Sequence, residues 1–244
     1  MFVAHENLDV MQEKIAAGCT PPHSRDHSME HDAVLFDLDG TLLDTIEDLT
    51  NSMNSVLSRL GFRGHGRDEY KYLVGAGIET LVYRALPEGH RDDSTVARCL
   101  AAMDEEYRLQ RLRNTSPYPG IPELLDALQL RGVRMAVLSN KPDDSTRLIV
   151  STLLPRWKFD MVLGSRPSFP LKPDPAAALE IAARVGIAPE RFICLGDTDV
   201  DMHLAHAARM YPVGALWGYR TAEELLSSGA KVLLGKPGDL LIYL

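Results

Sequence analysis

Asp37 and Asp39 stand two residues apart and run straight into Gly40-Thr41. Far along the chain, Asp197 and Asp201 stand four apart within Gly196-Asp197-Thr198-Asp199-Val200-Asp201. Between these pairs lie Ser139-Asn140 and a lysine, Lys172, ahead of Pro173. Four acids, one hydroxyl and one amine are groups that can ligate a hard cation or act on an anionic ligand, if the fold brings them together. Each has a plainer role when taken singly. Asp37 or Asp39 can cap a helix starting near Thr45, and Asp197 to Asp199 can cap one starting at Val200. Ser139-Asn140 is ordinary loop composition, and Lys172 can be a solvated charge.

The elements around them decide between these readings. Ala33-Val34-Leu35-Phe36 is a continuous apolar run that ends at Asp37. Similar runs recur at 135–138, 159–163, 192–195 and 212–217, with a weaker one at 231–234. Continuous rather than alternating hydrophobicity predicts strands covered on both faces, hence a parallel sheet. Helical patterns at 121–130, 144–154, 175–185, 200–208 and 221–228 alternate with these strands, which predicts an α/β, doubly wound fold. Asp37, Asp39, Ser139, Asn140, Lys172, Asp197 and Asp201 then all follow strands and share the carboxyl edge of the sheet, where ligands bind.

One stretch breaks the alternation. Residues 46–60, 68–74, 77–86 and 95–112 read as helices with no strand among them. The expected organisation is an N-terminal extension at 1–31, an α/β core at 32–48 and 117–244, and an inserted helical cap at 49–116. The cap joins the core through two crossings, the second stiffened by Pro117 and Pro119.

Composition bounds the function. The 244 residues carry 26 Lys+Arg against 34 Asp+Glu, a net charge of −8. Such a chain is a poor general binder of nucleic acid or anionic membrane, so anions would need a local site. Cys19, Cys99 and Cys194 are isolated, which argues against a structural zinc site and fits a reducing compartment. His5, His23, His27 and His31 lack paired metal-ligand spacing. The acid-bearing N-terminus has no long apolar segment, so the cytoplasm is expected, and Met29 is an alternative start.

Four motifs, in order, carry a resemblance: Asp37-Leu38-Asp39-Gly40-Thr41-Leu42 (DxDGT[LV]), Leu138-Ser139-Asn140-Lys141, Lys172-Pro173-Asp174-Pro175, and Gly196 to Asp201 (GDxxxD). From about Asp32 to the C-terminus the chain resembles a haloacid dehalogenase superfamily phosphatase of the phosphoglycolate phosphatase-like branch. Leu73-Val74-Gly75-Ala76-Gly77, Leu81-Val82 and Arg84-Ala85-Leu86 resemble that branch's helical cap, and Trp217-Gly218-Tyr219-Arg220 also matches it. One departure is Ala208-Arg209-Met210, where the branch usually has Ala-Gly-Met and a glycine with positive φ.

The resemblance implies a Rossmannoid core, a helical cap and a Mg²⁺ ion. Asp37, Asp197 and the Asp39 backbone carbonyl would ligate the ion, with Asp201 in or just outside its coordination. Asp37 would be the nucleophile that forms an aspartyl-phosphate, and Asp39 the acid and base. Lys172 would neutralise charge. Ser139, Asn140 and neighbouring N–H groups would hold the phosphate, with Thr41 ordering the loop and supporting Asp39. The branch points to 2-phosphoglycolate as substrate; Gly75 and Gly77, whose lack of side chains lets backbone N–H groups approach a ligand, are expected to receive its carboxylate, the alternative being that they only turn the chain between two cap helices. Dehalogenase chemistry is disfavoured by Asp39 and the intact fourth motif. A β-phosphoglucomutase-like phosphomutase, an inorganic pyrophosphatase and an inactive phospholigand-binding protein are the alternatives, and the protein is expected to be a monomer or homodimer.

Overall fold

The computed structural model describes residues 31–244. Six parallel strands form the central sheet: β1 (Ala33–Phe36), β4 (Arg134–Pro142), β5 (Met161–Ser165), β6 (Phe192–Gly196), β7 (Tyr211–Ala215) and β8 (Val232–Leu234), in the order β5-β4-β1-β6-β7-β8. Successive residues of β1 point to opposite faces. Val34 and Phe36 enter one core with helix α5 (Ile121–Leu130) and α6 (Asp143–Leu153). Ala33 and Leu35 enter the other with α7 (Ala176–Val185) and α8 (Asp199–Ala208). Both faces are dry, which is why the strands read as unbroken apolar runs. Helix α9 (Ala222–Ser227) precedes β8.

A separate apolar cluster gathers α1 (Ile46–Arg59), α2 (Arg67–Leu73), α3 (Ile78–Ala85) and α4 (Asp93–Gln110). In α1 the buried stripe Ile46, Leu49, Met53, Val56 and Leu57 repeats at helical spacing. This helix is continuous from Ile46, so its first turn already belongs to the helical cluster, three residues before the expected boundary at 49. The two crossings are not bare linkers. Strands β2 (Leu43–Asp44) and β3 (Ser116–Pro117) pair antiparallel. Asp48, fully buried, accepts the Asn114 and Thr115 backbone N–H groups at 3.0 Å and the Thr115 hydroxyl at 2.7 Å. One carboxylate thus ties the outgoing chain to the returning one.

Three local readings change. Strand β4 runs on to Pro142, with a register irregularity after Leu138, so Ser139, Asn140 and Lys141 lie in an extended strand end rather than a loop. Strand β5 begins two residues later than expected, and just before it the Asp160 carboxylate accepts from Arg134 and from the Met135 N–H. His31, placed by sequence in the extension, is buried, contacts Tyr211 and bonds the Tyr243 carbonyl through Nδ1 at 2.9 Å. Cys19, His5, His23, His27 and Met29 lie outside the described residues. Among the described residues no helix is long and apolar enough to cross a membrane.

Candidate active site

The site lies past the carboxyl ends of β1, β4 and β6, and residues of the α1–α4 cluster line the same cavity. Asp37 leaves β1 with its N–H on the Leu195 carbonyl of the neighbouring strand. Gly40 then turns the chain at φ +87, and a Cβ there would overlap the Asp197 carboxylate. Gly218, from the far side, is equally close to Asp197. Side chains at either position would evict that carboxylate.

Three buried acids converge. Asp37, Asp197 and Asp201 each offer a carboxylate oxygen within 4.8 Å of the others. Lys172 Nζ donates to Asp37 and Asp201, both at 2.7 Å. The amine balances one of three charges. Burial and the Asp201 carboxylate raise Asp37 to about 7, against the opposing pull of Lys172. Burial and Asp37 likewise push Asp197 up. Burial opposes the Lys172 charge, yet Asp201 and Asp37 hold its ammonium above the usual range. Lys172 is therefore a cation sealed among acids, not a solvated charge.

This donor set fits a hard divalent cation. It consists of carboxylate oxygens, which suit Mg²⁺, and its negative charge exceeds what Lys172 offsets. Asp197 is aimed by Thr41 Oγ1 at 2.9 Å and by the Tyr219 N–H at 2.8 Å, neither of them a cation. Asp201 is held by the Thr198 hydroxyl at 2.7 Å.

Asp39 faces a different partner. Its Oδ2 lies 3.0 Å from Lys141 Nζ, while Oδ1 is buried without a protein partner. Lys141 also donates to the Tyr107 hydroxyl at 2.8 Å, and Tyr107 comes from α4 of the cap cluster. Burial works against the Lys141 charge, but Asp39 and Tyr107 together hold its ammonium above the usual range. Two lysines thus serve two aspartates, Lys172 for Asp37 and Lys141 for Asp39.

Other expected site residues take different posts. Thr41 is fully buried and supports Asp197 rather than Asp39 or a phosphate. The Asn140 side chain is saturated by backbone: its amide donates to the Gly75 and Lys172 carbonyls at 3.1 Å each, and its oxygen accepts the Lys172 N–H at 2.8 Å. It brackets the Lys172 loop to the cap, which leaves no side-chain atom for phosphate. Ser139 Oγ accepts the Lys141 N–H at 3.2 Å. Gly75 and Gly77 border the cavity with φ of +110 and +89. The cavity is about 300 Å³, and its core wall includes Asp37, Asp39, Asn140, Lys141 and Lys172.

Sequence reasoning assigned no role to Lys141, Tyr107 or Tyr219. Lys141 stood next to Asn140 and was the available signal. Tyr107 falls on the Cys99–Met103–Tyr107 face of α4 and reads as core. Tyr219 places its N–H on Asp197 and its hydroxyl 3.1 Å from Thr45 Oγ1, a pairing across 174 residues that no local pattern announces.

Known proteins resemble this chain in sequence and fold. The haloacid dehalogenase-like hydrolase family model matches residues 34–215. A phosphoglycolate phosphatase of Aquifex aeolicus is 32% identical over 211 residues, covering 85% of this chain and 93% of its own. One from Pseudomonas putida is 35% identical over 194 residues, covering 76% and 70%. A crystal structure from Lactobacillus delbrueckii subsp. bulgaricus, provisionally described as a phosphoglycolate phosphatase, superposes with a TM-score of 0.83 at 29% identity, covering 87% of this chain and 97% of that one. The chain belongs to the haloacid dehalogenase-like hydrolases, on the branch that contains the phosphoglycolate phosphatases.

Proposed function

We propose that the protein is a Mg²⁺-dependent phosphatase that hydrolyses a small phosphate monoester, 2-phosphoglycolate foremost, as a monomer or homodimer in the cytoplasm. The observation that carries this reading is the pair of separately held aspartates at one cavity. Asp37 is shared between Lys172 and the acid cluster, and Asp39 is set apart on Lys141. The relatives' names point to 2-phosphoglycolate.

The chemistry follows from those posts. The Asp37 carboxylate attacks phosphorus and the ester P–O bond breaks, leaving an acyl phosphate on Asp37. Asp39 gives its proton to the departing alkoxide, then takes one from the water that attacks the acyl phosphate. Lys172 remains on Asp37 and offsets charge on the transferring group. Lys141 keeps Asp39 oriented through both proton transfers. Mg²⁺, held by Asp37, Asp197 and Asp201 with the Asp39 carbonyl, would neutralise and orient the phosphate oxygens. The residues closing the cavity from the cap exclude bulk water from the acyl phosphate.

The test is release of inorganic phosphate from 2-phosphoglycolate, pyrophosphate and β-glucose 1-phosphate with Mg²⁺ or EDTA. Release from 2-phosphoglycolate that EDTA abolishes supports the reading. Turnover of pyrophosphate alone, or full activity in EDTA, overturns it.

A further inference from the structure

The cavity is larger and drier than phosphate and a two-carbon acid require. Its volume of about 300 Å³ corresponds to roughly ten waters at about 30 Å³ each. It stands at the lower end of the about 300–1,000 Å³ that hold drug-sized ligands. The phosphoryl group belongs at the Asp37 end. Opposite it, Leu49, Val74, Ile78, Leu81, Leu100 and Met103 form a continuous apolar wall.

The polar side chains bordering this wall are few, and most are engaged with one another or acidic. Lys141 is held by Asp39 and Tyr107, and Lys172 by Asp37 and Asp201. The Tyr107 hydroxyl accepts from Lys141 and the Ser145 hydroxyl from Arg111 at 2.7 Å, each keeping one O–H to donate. Glu79 and Asp104, also at the wall, are acids. A sugar would find partners only in these few groups and in the exposed acids Glu79 and Asp104, and would bury its other hydroxyls against carbon, which is costly.

We propose that the cap wall is a leaving-group subsite for a compact, uncharged, apolar alcohol, so that phosphate monoesters of branched alkyl alcohols form a substrate class beside 2-phosphoglycolate, which enters but leaves most of the chamber unfilled. The inference rests on the phosphatase reading and extends it to the leaving group. The step is the one already written: the ester P–O bond breaks, and the alcohol departs with the proton from Asp39.

The experiment compares kcat/KM for ethyl phosphate and 3-methylbutyl phosphate. Both release alkoxides of similar basicity, so the chemical step is matched and the ratio reads the chamber. Each buried methylene is worth about fourfold, so the longer ester is expected to be favoured by at least about tenfold. Leu100→Gln and Ile78→Asn, two partly exposed positions of the wall, are expected to bring the ratio back towards one. Because both substrates meet the same preparation, loss of folded protein cancels from the ratio. A ratio near one in the unaltered protein overturns the inference while leaving the phosphatase reading intact. So does a high ratio that neither variant changes. Absence of phosphate release from both esters and from 2-phosphoglycolate overturns both.

Discussion

Replacing Lys141 by methionine keeps the length and apolar stem of the side chain and deletes its charge. In the structure that charge sits 3.0 Å from Asp39 and 2.8 Å from the Tyr107 hydroxyl, with the lysine side chain 4% exposed. Removing one partner of a buried pair costs about 3–5 kcal/mol, because the other charge is stranded. Asp39 is 19% exposed, so water recovers part of this and about 2–3 kcal/mol is expected. The effect on turnover is larger. Acid–base groups contribute about 10²–10⁴-fold, and a displacement near 1 Å costs about 10², so kcat should fall about a hundredfold. The assay is urea unfolding beside phosphate release at saturating Mg²⁺. A second variant separates charge from shape. Lys141→Met with Asp39→Asn removes both charges and should recover most of the stability, a coupling of about 2 kcal/mol, without recovering kcat. An unchanged urea midpoint with kcat within twofold of the parent would refute the reasoning.

Other perturbations follow from the same geometry. Asp37 has a folded-state value near 7 against an ordinary 3.8, so it contributes stability below about pH 4 that is lost as pH rises through 7. The rise in Tm on adding Mg²⁺ should therefore be larger at pH 8 than at pH 5, and equal rises would contradict the shared acid cluster. Asp48→Ala strands the N–H groups of Asn114 and Thr115 and should cost at least about 3 kcal/mol by urea unfolding, with Asp48→Asn intermediate. Arg209 holds φ 58 and ψ 30 at the end of α8, so Arg209→Gly should raise stability by about 1 kcal/mol. Its exposed ion pair to Glu190 at 3.0 Å subtracts little from that gain.

The parts of this fold that were legible are those with a local signature. Ala33 to Phe36 is apolar on both faces and ends in acids, so sheet type and catalytic edge came together. Arg209 was found through the resemblance instead, since the branch usually has a glycine of positive φ there, and φ 58 is what stands at that position. What stayed hidden was pairing across distance. Lys141 meets Tyr107 and Asp39 only once the cap cluster lies over the sheet. Asp48 reads as an ordinary first-turn acid of a helix, yet its oxygens serve backbone 66 and 67 residues away. Ser139-Asn140-Lys141-Pro142 has loop composition but continues β4, because its neighbour β5 still pairs with Pro142. Thr41 was aimed at the wrong aspartate, since its partner Asp197 lies 156 residues on.

The central claim is that phosphate passes through Asp37. Substrate mixed with enzyme and Mg²⁺, quenched in acid within milliseconds and reduced with tritiated borohydride, followed by peptide mapping, reads this directly. The account predicts tritium on the peptide carrying Asp37, with Asp37 converted to homoserine and its phosphate released, and no tritium there in Asp37→Asn. Turnover that proceeds with no covalent label, or label on any other residue, would contradict it.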